Sequence, residues 1–454
     1  MATFRALNSG SRGRGRGRDA SRAAIFSHAG EDSSGNVAPG SSLAADTEKL
    51  YFDSYANLGI HQEMIQDEVR TCAYRDALMR HADRIRGKVV VDVGCGTGIL
   101  SIFAARAGAR KVYAIDASDI AIHAQQVVQA NGLADVITVL HKRVEEVELE
   151  ERADVLVSEW MGYMLLYETM LPAVIAARDR LLKPGGLILP SHATLFIAPV
   201  SCEDRFEDGT AFWSDVHGID MTALVPLAKK CYFTDPCVEN ITAEHILGEP
   251  SVVKRIDCAT VTEEDLQLVE ADFSSKSMIV SPLTGFAFWF SVEFNNHPSP
   301  IASPTHSQPS AAPPAPPAPA PAPDAPATAD AQIADAPSKD SVPSATDAAT
   351  APASEPTAAT ADSSTAAAAT ASPGGDSTDA MVTDSVVLST APEDTSTHWM
   401  QTVLYVGEMY PVHQDDVISG HVTIAPNKEC TRFLDIDLSY QTPTTSGSKT
   451  FTMR

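Results

Sequence analysis

Basic side chains are scarce: 33 lysines and arginines stand against 59 aspartates and glutamates, for a formal net charge of −26 and a pI near 4.8. That balance argues against general nucleic-acid binding and favours basic partners. Cysteine is thinly spread. Cys72, Cys95, Cys202, Cys231, Cys237, Cys258 and Cys430 form no C-x-x-C pair and no His/Cys cluster at metal-ligand spacing. This excludes a structural zinc site and fits a reduced intracellular compartment. Long apolar runs are missing too. No stretch approaches the roughly 20 apolar residues of a membrane span, and the basic N-terminus lacks a signal peptide's apolar run. A soluble intracellular protein without membrane or metal is expected, and 454 residues allow two or three domains with ample core.

Two segments cannot bury a core. Residues 1–43 are small and polar around Ser11-Arg12-Gly13-Arg14-Gly15-Arg16-Gly17-Arg18, and are read as a disordered arm. The Arg-Gly tract is open to two readings, a contact with RNA or another anionic surface, or a solvated tail. Residues from about 296 to 384 are Ala, Pro, Ser, Thr and Asp, with Lys339 the one basic residue apart from histidine. Recurrent proline and β-hydroxyl residues make this tract low-complexity and disordered, PPII-like in its Pro-Ala part.

Between 88 and 190, short β-branched runs alternate with helical stretches. Strands are expected at Val89–Val91, Val112–Ile115, Ile137–Val139, Val155–Val157 and Leu187–Leu189, with helices near 98–107, 119–131 and 167–182. This alternation indicates a doubly wound parallel sheet, an α/β Rossmann-like domain with its ligand at the carboxyl ends of the strands. The first strand ends in Asp92-Val93-Gly94-Cys95-Gly96-Thr97-Gly98. Gly94, Gly96 and Gly98 allow a tight turn and close approach to a ligand just before a helix. Asp116 closes the second strand, where a carboxylate accepts both hydroxyls of a ribose. The third glycine at dinucleotide spacing is absent. A nucleoside ligand without pyrophosphate follows, S-adenosylmethionine in preference to NAD.

Upstream, residues 46–85 read as helical. Ile65, Val69 and Cys72 share the expected packing side, with Met64, Asp67 and Arg70 roughly opposite. Asp67 and Arg70 are either a modest surface pair or part of a lid over the ligand.

Downstream of the fourth strand, Glu159 and Glu168 bracket Trp160-Met161-Gly162-Tyr163-Met164-Leu165-Leu166-Tyr167. Two acids in such apolar company are either water-facing loop residues or a clamp for a cation brought by the substrate. A planar guanidinium fits two carboxylates best. From His192 onward strands dominate, at Thr194–Pro199, Gly285–Phe294, Trp399–Val406 and Arg432–Tyr440, giving an antiparallel β sandwich or barrel. Residues 202–240 look like a protruding helical insertion. His398, beside Trp399, reads as a core histidine until its partners are considered.

Tyr51-Phe52-Asp53-Ser54-Tyr55, Val91 to Leu100, Ser158 to Glu168 and Thr397-His398-Trp399 stand in the order seen in the type I protein arginine N-methyltransferases, which the chain resembles from about Tyr51 to Arg454 outside 296–384. The arm and the insertion between two strands are similar to the plant and algal branch of protein arginine methyltransferase 6. The resemblance implies a Rossmann-like domain over 44–190 and a β-barrel over 191–454, with 202–240 as the arm of a head-to-tail homodimer. Glu159 and Glu168 would hold the substrate guanidinium, and Asp67 and His398 would link the N-terminal helix to the barrel. Arg70 would pair with the carboxylate of S-adenosylmethionine, with His61 and Gly94 at its methionine end, Asp116 on the ribose and Glu145 on the adenine. Met64, Met170 and Tyr55 would shape the acceptor pocket, limiting products to mono- and asymmetric dimethylarginine.

Basic partners, Arg/Gly-rich segments or histone tails, would be methylated in the nucleus or cytoplasm, with no requirement for nucleic-acid binding. The family usually has Glu where Asp116 stands and Lys where Met400 stands. Competing readings are a catalytically silent dimeric scaffold, an RNA-associated role for the arm, and a methyltransferase for small molecules or nucleic acid. The last would carry an Asn/Asp-Pro-Pro-aromatic acceptor run, which the sequence lacks.

Overall fold

The computed structural model describes residues 43–295 and 385–454. The expected arm and the expected low-complexity insert lie outside the described residues.

The N-terminal helical stretch is not continuous. It consists of α1 (Leu43–Tyr55), α2 (Leu58–Gln66), α3 (Glu68–Arg80) and the single turn α4 (Ala82–Ile85). Asp67 makes the break between α2 and α3: its backbone N–H closes α2 on the Glu63 carbonyl, and its carboxylate caps α3 by accepting the Arg70 N–H at 3.0 Å. The break re-aims the faces. Ile65, Val69 and Cys72, expected to pack, are only half-buried, whereas Arg70, Tyr74, Ala77 and Leu78 form the buried side of α3. An i, i+4, i+7, i+8 stripe that begins with arginine does not register as apolar, so the sequence pattern does not mark the face that α3 buries.

The parallel sheet follows as expected. Strands β1 (Val89–Val93), β2 (Lys111–Asp116), β3 (Ile137–His141), β4 (Ala153–Ser158) and β5 (Leu182–Leu189) lie in the order 3-2-1-4-5. Between them run α5 (Ile99–Arg106), α6 (Ile120–Ala130) and α7 (Leu171–Leu181). Every residue of β1 is buried, the mark of a strand covered on both faces. The strand order reverses between β1 and β4, so the crevice opens at their carboxyl ends, beside Gly94 and Glu159.

Two antiparallel sheets make the second half. One holds β6 (His192–Val200), β7 (Cys237–Glu239), β8 (Ser251–Asp257), β10 (Leu283–Phe294), β11 (Val386–Ser389) and β12 (Gln401–Tyr410). The other holds β9 (Val269–Lys276), β13 (Val417–Pro426), β14 (Leu434–Gln441) and β15 (Ser446–Met453). Rings bridge the sheets: Phe286 of β10 lies 5.2 Å from Phe273 and 5.7 Å from Tyr440. Leu434, Ile436, Leu438 and Tyr440 of β14 all face inward, as their alternation predicted. The strand expected from Trp399 begins at Gln401, and Trp399 is instead a buried turn residue. β10 and β11 pair with Phe294 opposite Val386, so the 296–384 tract leaves and re-enters at adjacent positions of one hairpin.

Residues 202–240 contain α8 (Glu203–Thr210) and α9 (Val225–Phe233). Their base is fixed by stacking of Phe206 on Phe233 at 4.1 Å, while Phe212, Ile219, Leu227 and Tyr232 are exposed.

Candidate active site

A cavity of about 750 Å³ sits over the carboxyl ends of β1, β2 and β4, between α1, the 159–170 loop and the edge of β13 and β14. That size suits a nucleotide-sized ligand.

The floor is the glycine turn. Gly94, Gly96 and Gly98 all have positive φ. A Cβ on Gly94 would collide with the end of Met170, and one on Gly96 would stand 3.0 Å from the His61 ring. At Gly98 only the left-handed conformation needs glycine, because the nearest atom is 3.8 Å away. His61 is buried and its Nε2–H donates to the Tyr55 carbonyl at 2.8 Å, which pins the ring beneath α1.

Asp116 ends β2 inside the cavity. Its Oδ2 accepts the Gly96 N–H at 2.8 Å, and its Oδ1 accepts the N–H and hydroxyl of Ser118 at 2.9 and 2.7 Å. The carboxylate thus holds the glycine turn and still faces the cavity with acceptor capacity on Oδ2. Glu145 lines the same cavity from the 144–146 turn. Below the turn, Asp92 is fully buried and accepts the Ser101 hydroxyl at 2.6 Å. Burial pushes its carboxyl up to about 7; the Ser101 bond opposes this and the charge of Asp116 adds to it.

Glu159 and Glu168 both line the cavity, on either side of the apolar loop. Arg70, expected to face a cofactor carboxylate, spends Nε and Nη2 on Glu159 Oε2 at 3.0 and 2.8 Å and Nη1 on the Met64 carbonyl at 3.1 Å. The Arg70–Glu159 pair is nearly buried, with 7% and 8% of its side chains exposed. Both contacts fall on Oε2, so Oε1 is not engaged by Arg70. Met64, Met170 and Tyr55 also border the cavity.

Asp67 and His398 meet across 331 residues. Asp67 Oδ2 accepts His398 Nδ1–H at 2.7 Å and the His398 backbone N–H at 2.9 Å, fixing the tautomer with the proton on Nδ1. Burial alone would raise the Asp67 carboxyl, but hydrogen bonds from His398 and from the Arg70 N–H hold it below its ordinary value. Trp399, its ring centroid 3.9 Å from that of His398 and tilted 39° to it, donates Nε1–H to the Met161 carbonyl and so braces the loop next to Glu159. Met400 takes a positive φ of 50° in the same turn.

Three site residues carry no local signal. Tyr74 is fully buried and donates its hydroxyl to the Ser158 carbonyl at 3.0 Å, one residue before Glu159. Burial, with the nearby charge of Glu159, pushes its phenol well above the ordinary value. Ser118 completes the shell of Asp116. Arg432, on the β13–β14 connection, lays its guanidinium on the Tyr51 ring with the central carbon 3.4 Å from the centroid. Among the described residues no group of three or more His, Cys, Asp or Glu is arranged to hold a metal ion.

Comparison with known proteins agrees with this geometry. The model for the arginine methyltransferase oligomerization subdomain matches residues 191–311 and 378–445, and that for the ribosomal protein L11 methyltransferase (PrmA) matches 77–191. The chain is 46% identical over 409 residues to the probable protein arginine N-methyltransferase 6 of Arabidopsis thaliana, covering 90% of this chain and 82% of that protein. It is 36% identical to protein arginine N-methyltransferase 6 of Danio rerio, covering 86% and 88%. Among solved structures, Arabidopsis thaliana protein arginine methyltransferase 10 superposes with a TM-score of 0.64 at 27% identity, over 89% of this chain and all of that one. The Trypanosoma brucei PRMT1 enzyme–prozyme heterotetrameric complex with AdoHcy gives 0.64 at 28% identity, over 88% of this chain and all of the matched chain. The sequence belongs to the protein arginine N-methyltransferase family.

Proposed function

We propose that the protein transfers methyl groups from S-adenosylmethionine to the guanidino nitrogens of arginine in basic proteins, giving mono- and asymmetric dimethylarginine. The observation that carries this is the pair Glu159 and Glu168 in one cavity with Asp116, Gly94 and Gly96. The residues present fit the cofactor. Asp116 offers a carboxylate for ribose hydroxyls, Glu145 a carboxylate near the adenine, and Arg70 the second N–H of Nη1 and of Nη2 for the terminal carboxylate, beyond its bonds to Met64 and Glu159. Gly94 and Gly96 let the turn pass directly against Met170 and His61, where a Cβ would clash. When bound, the cofactor supplies an electrophilic methyl group on a sulfonium.

The protein's own part is to prepare the acceptor. A guanidinium is a weak nucleophile because its charge is delocalised and its pKa exceeds about 12. Two carboxylates draw positive charge toward the nitrogens they bind and hold the remaining nitrogen in place for reaction. The proton released on transfer passes to Glu168 or to the Asp67–His398 pair. Met64 and Met170 restrict the space around the acceptor and favour a second methyl on the same nitrogen. The exposed apolar side chains Phe212, Ile219, Leu227 and Tyr232 are the surface for the homodimer.

Arg/Gly-rich or histone-tail segments, met in the nucleus or cytoplasm, suit the acidic surface. Incubation with cofactor and an Arg-Gly peptide, followed by mass spectrometry of the methylarginine isomers, tests the product. Symmetric dimethylarginine as the main product would overturn this reading.

A further inference from the structure

We propose that Arg432 is a positioning residue that ties the seating of α1 over the cavity to the placement of Glu168. The inference rests on the function proposed above.

The two halves of Arg432 act in different directions. Its carbonyl accepts the Glu168 N–H at 2.9 Å. Glu168 has φ 53°, a left-handed conformation that a residue with a side chain keeps only when its surroundings impose it. The neighbouring residues reinforce the contact: the rings of Tyr167 and Phe433 stack with centroids 6.4 Å apart and planes 6° from parallel. The β13–β14 connection therefore meets the Glu168 loop at two successive positions. It fixes the backbone from which one clamp carboxylate projects.

The side chain points the other way. Its guanidinium covers the Tyr51 ring at 3.4 Å and reaches Phe52 at 5.8 Å. Tyr51 is 2% exposed, so the contact is shielded from water, where a cation on a ring face is most favourable. Tyr51 in turn lies 4.7 Å from Tyr55, whose carbonyl accepts the hydrogen bond of the His61 Nε2–H, and His61 stands against Gly96. A continuous set of contacts thus runs from the cofactor cradle through α1 to Arg432 and on to Glu168. A displaced α1 withdraws the Tyr51 ring from Arg432 and loosens the connection that holds Glu168. The acceptor clamp is then complete only while α1 is seated.

Arg432→Ala, Arg432→Lys, Tyr51→Leu and the Arg432→Ala/Tyr51→Leu double variant test this. The cofactor dissociation rate is read by intrinsic fluorescence, and kcat on an Arg-Gly peptide is read at saturating cofactor. Arg432→Ala should release cofactor roughly five- to tenfold faster and lower kcat by a similar factor, with its melting temperature near the parent's. Arg432→Lys should recover part of both, because it keeps the charge but not the flat stacking face. The double variant should be no worse than the more affected single one, the mark of a shared contact.

A folded Arg432→Ala variant that leaves either readout parental, or losses that simply add in the double variant, would overturn the proposal. Should Arg432→Ala not fold, parental values of both readouts in Arg432→Lys overturn it, and a loss in both supports it. The parent controls for the underlying function. Failure of the parent itself to bind cofactor or methylate the peptide would contradict the proposed activity rather than the role of Arg432.

Discussion

Arg70 Nη2 lies 2.8 Å from Glu159 Oε2, joining α3 to the first residue after β4 across 89 positions of sequence. The same α3 carries Tyr74, whose hydroxyl holds the Ser158 carbonyl. One helix therefore controls both the side chain of Glu159 and the backbone it hangs from. Because the pair is almost wholly buried, removing the cation leaves a carboxylate without compensation. Arg70→Met should lower stability by about 3 kcal/mol or more, measured by urea denaturation at pH 7. Stability within about 0.5 kcal/mol of the parent would show that the ion pair is incidental.

The Asp92 carboxyl, pushed up to about 7 by burial, sets a pH dependence of definite sign. In the unfolded chain the same group titrates near 3.9. Between about pH 4 and pH 7 the folded protein holds a proton that the unfolded chain has released, so stability falls as pH rises through that window. Asp92→Asn should remove a decline on the order of 4 kcal/mol between pH 4 and pH 8, seen as a difference in denaturation midpoints between variant and parent. Equal pH profiles for the two proteins would contradict it. Asp67 acts in the opposite sense. Its depressed carboxyl contributes stability above the unfolded pKa, and that stability is lost as pH falls through the folded value.

The sheet and its glycine turn were legible because their signals are local. Val89-Val90-Val91 is a buried strand on sight, and Gly94, Gly96 and Gly98 follow within seven residues. The break at Asp67 was hidden because α2 and α3 continue one helical rhythm, and only the cap distinguishes two helices from one. Burial of Arg70 could not be read, since an arginine earns no apolar weight in a periodicity count. Arg432 was hidden for a different reason. Its partners Tyr51 and Glu168 lie hundreds of residues away, and nothing in Cys430-Thr431-Arg432-Phe433 marks a contact.

The hairpin of β10 and β11 bears on the long tract between them. Phe294 pairs with Val386, so a short turn can join the two strands without moving either. Deleting residues 298–382 in favour of a Gly-Ser turn should preserve methylation and the proposed dimer. Shortening a loop from about ninety residues to about six should add up to roughly 2.4 kcal/mol through lower closure entropy. A deletion variant that loses its folded β domain by circular dichroism would show that the tract contributes structure.

Glu159 is the residue proposed to prepare the acceptor guanidinium. Single-turnover methyl transfer from saturating S-adenosylmethionine to an Arg-Gly peptide, compared for the parent and Glu159→Gln, tests it most directly. The glutamine keeps the shape and removes the charge. The rate should fall by at least about 100-fold, with cofactor binding retained. Transfer at near the parental rate would show that the Glu159 charge does not prepare the acceptor.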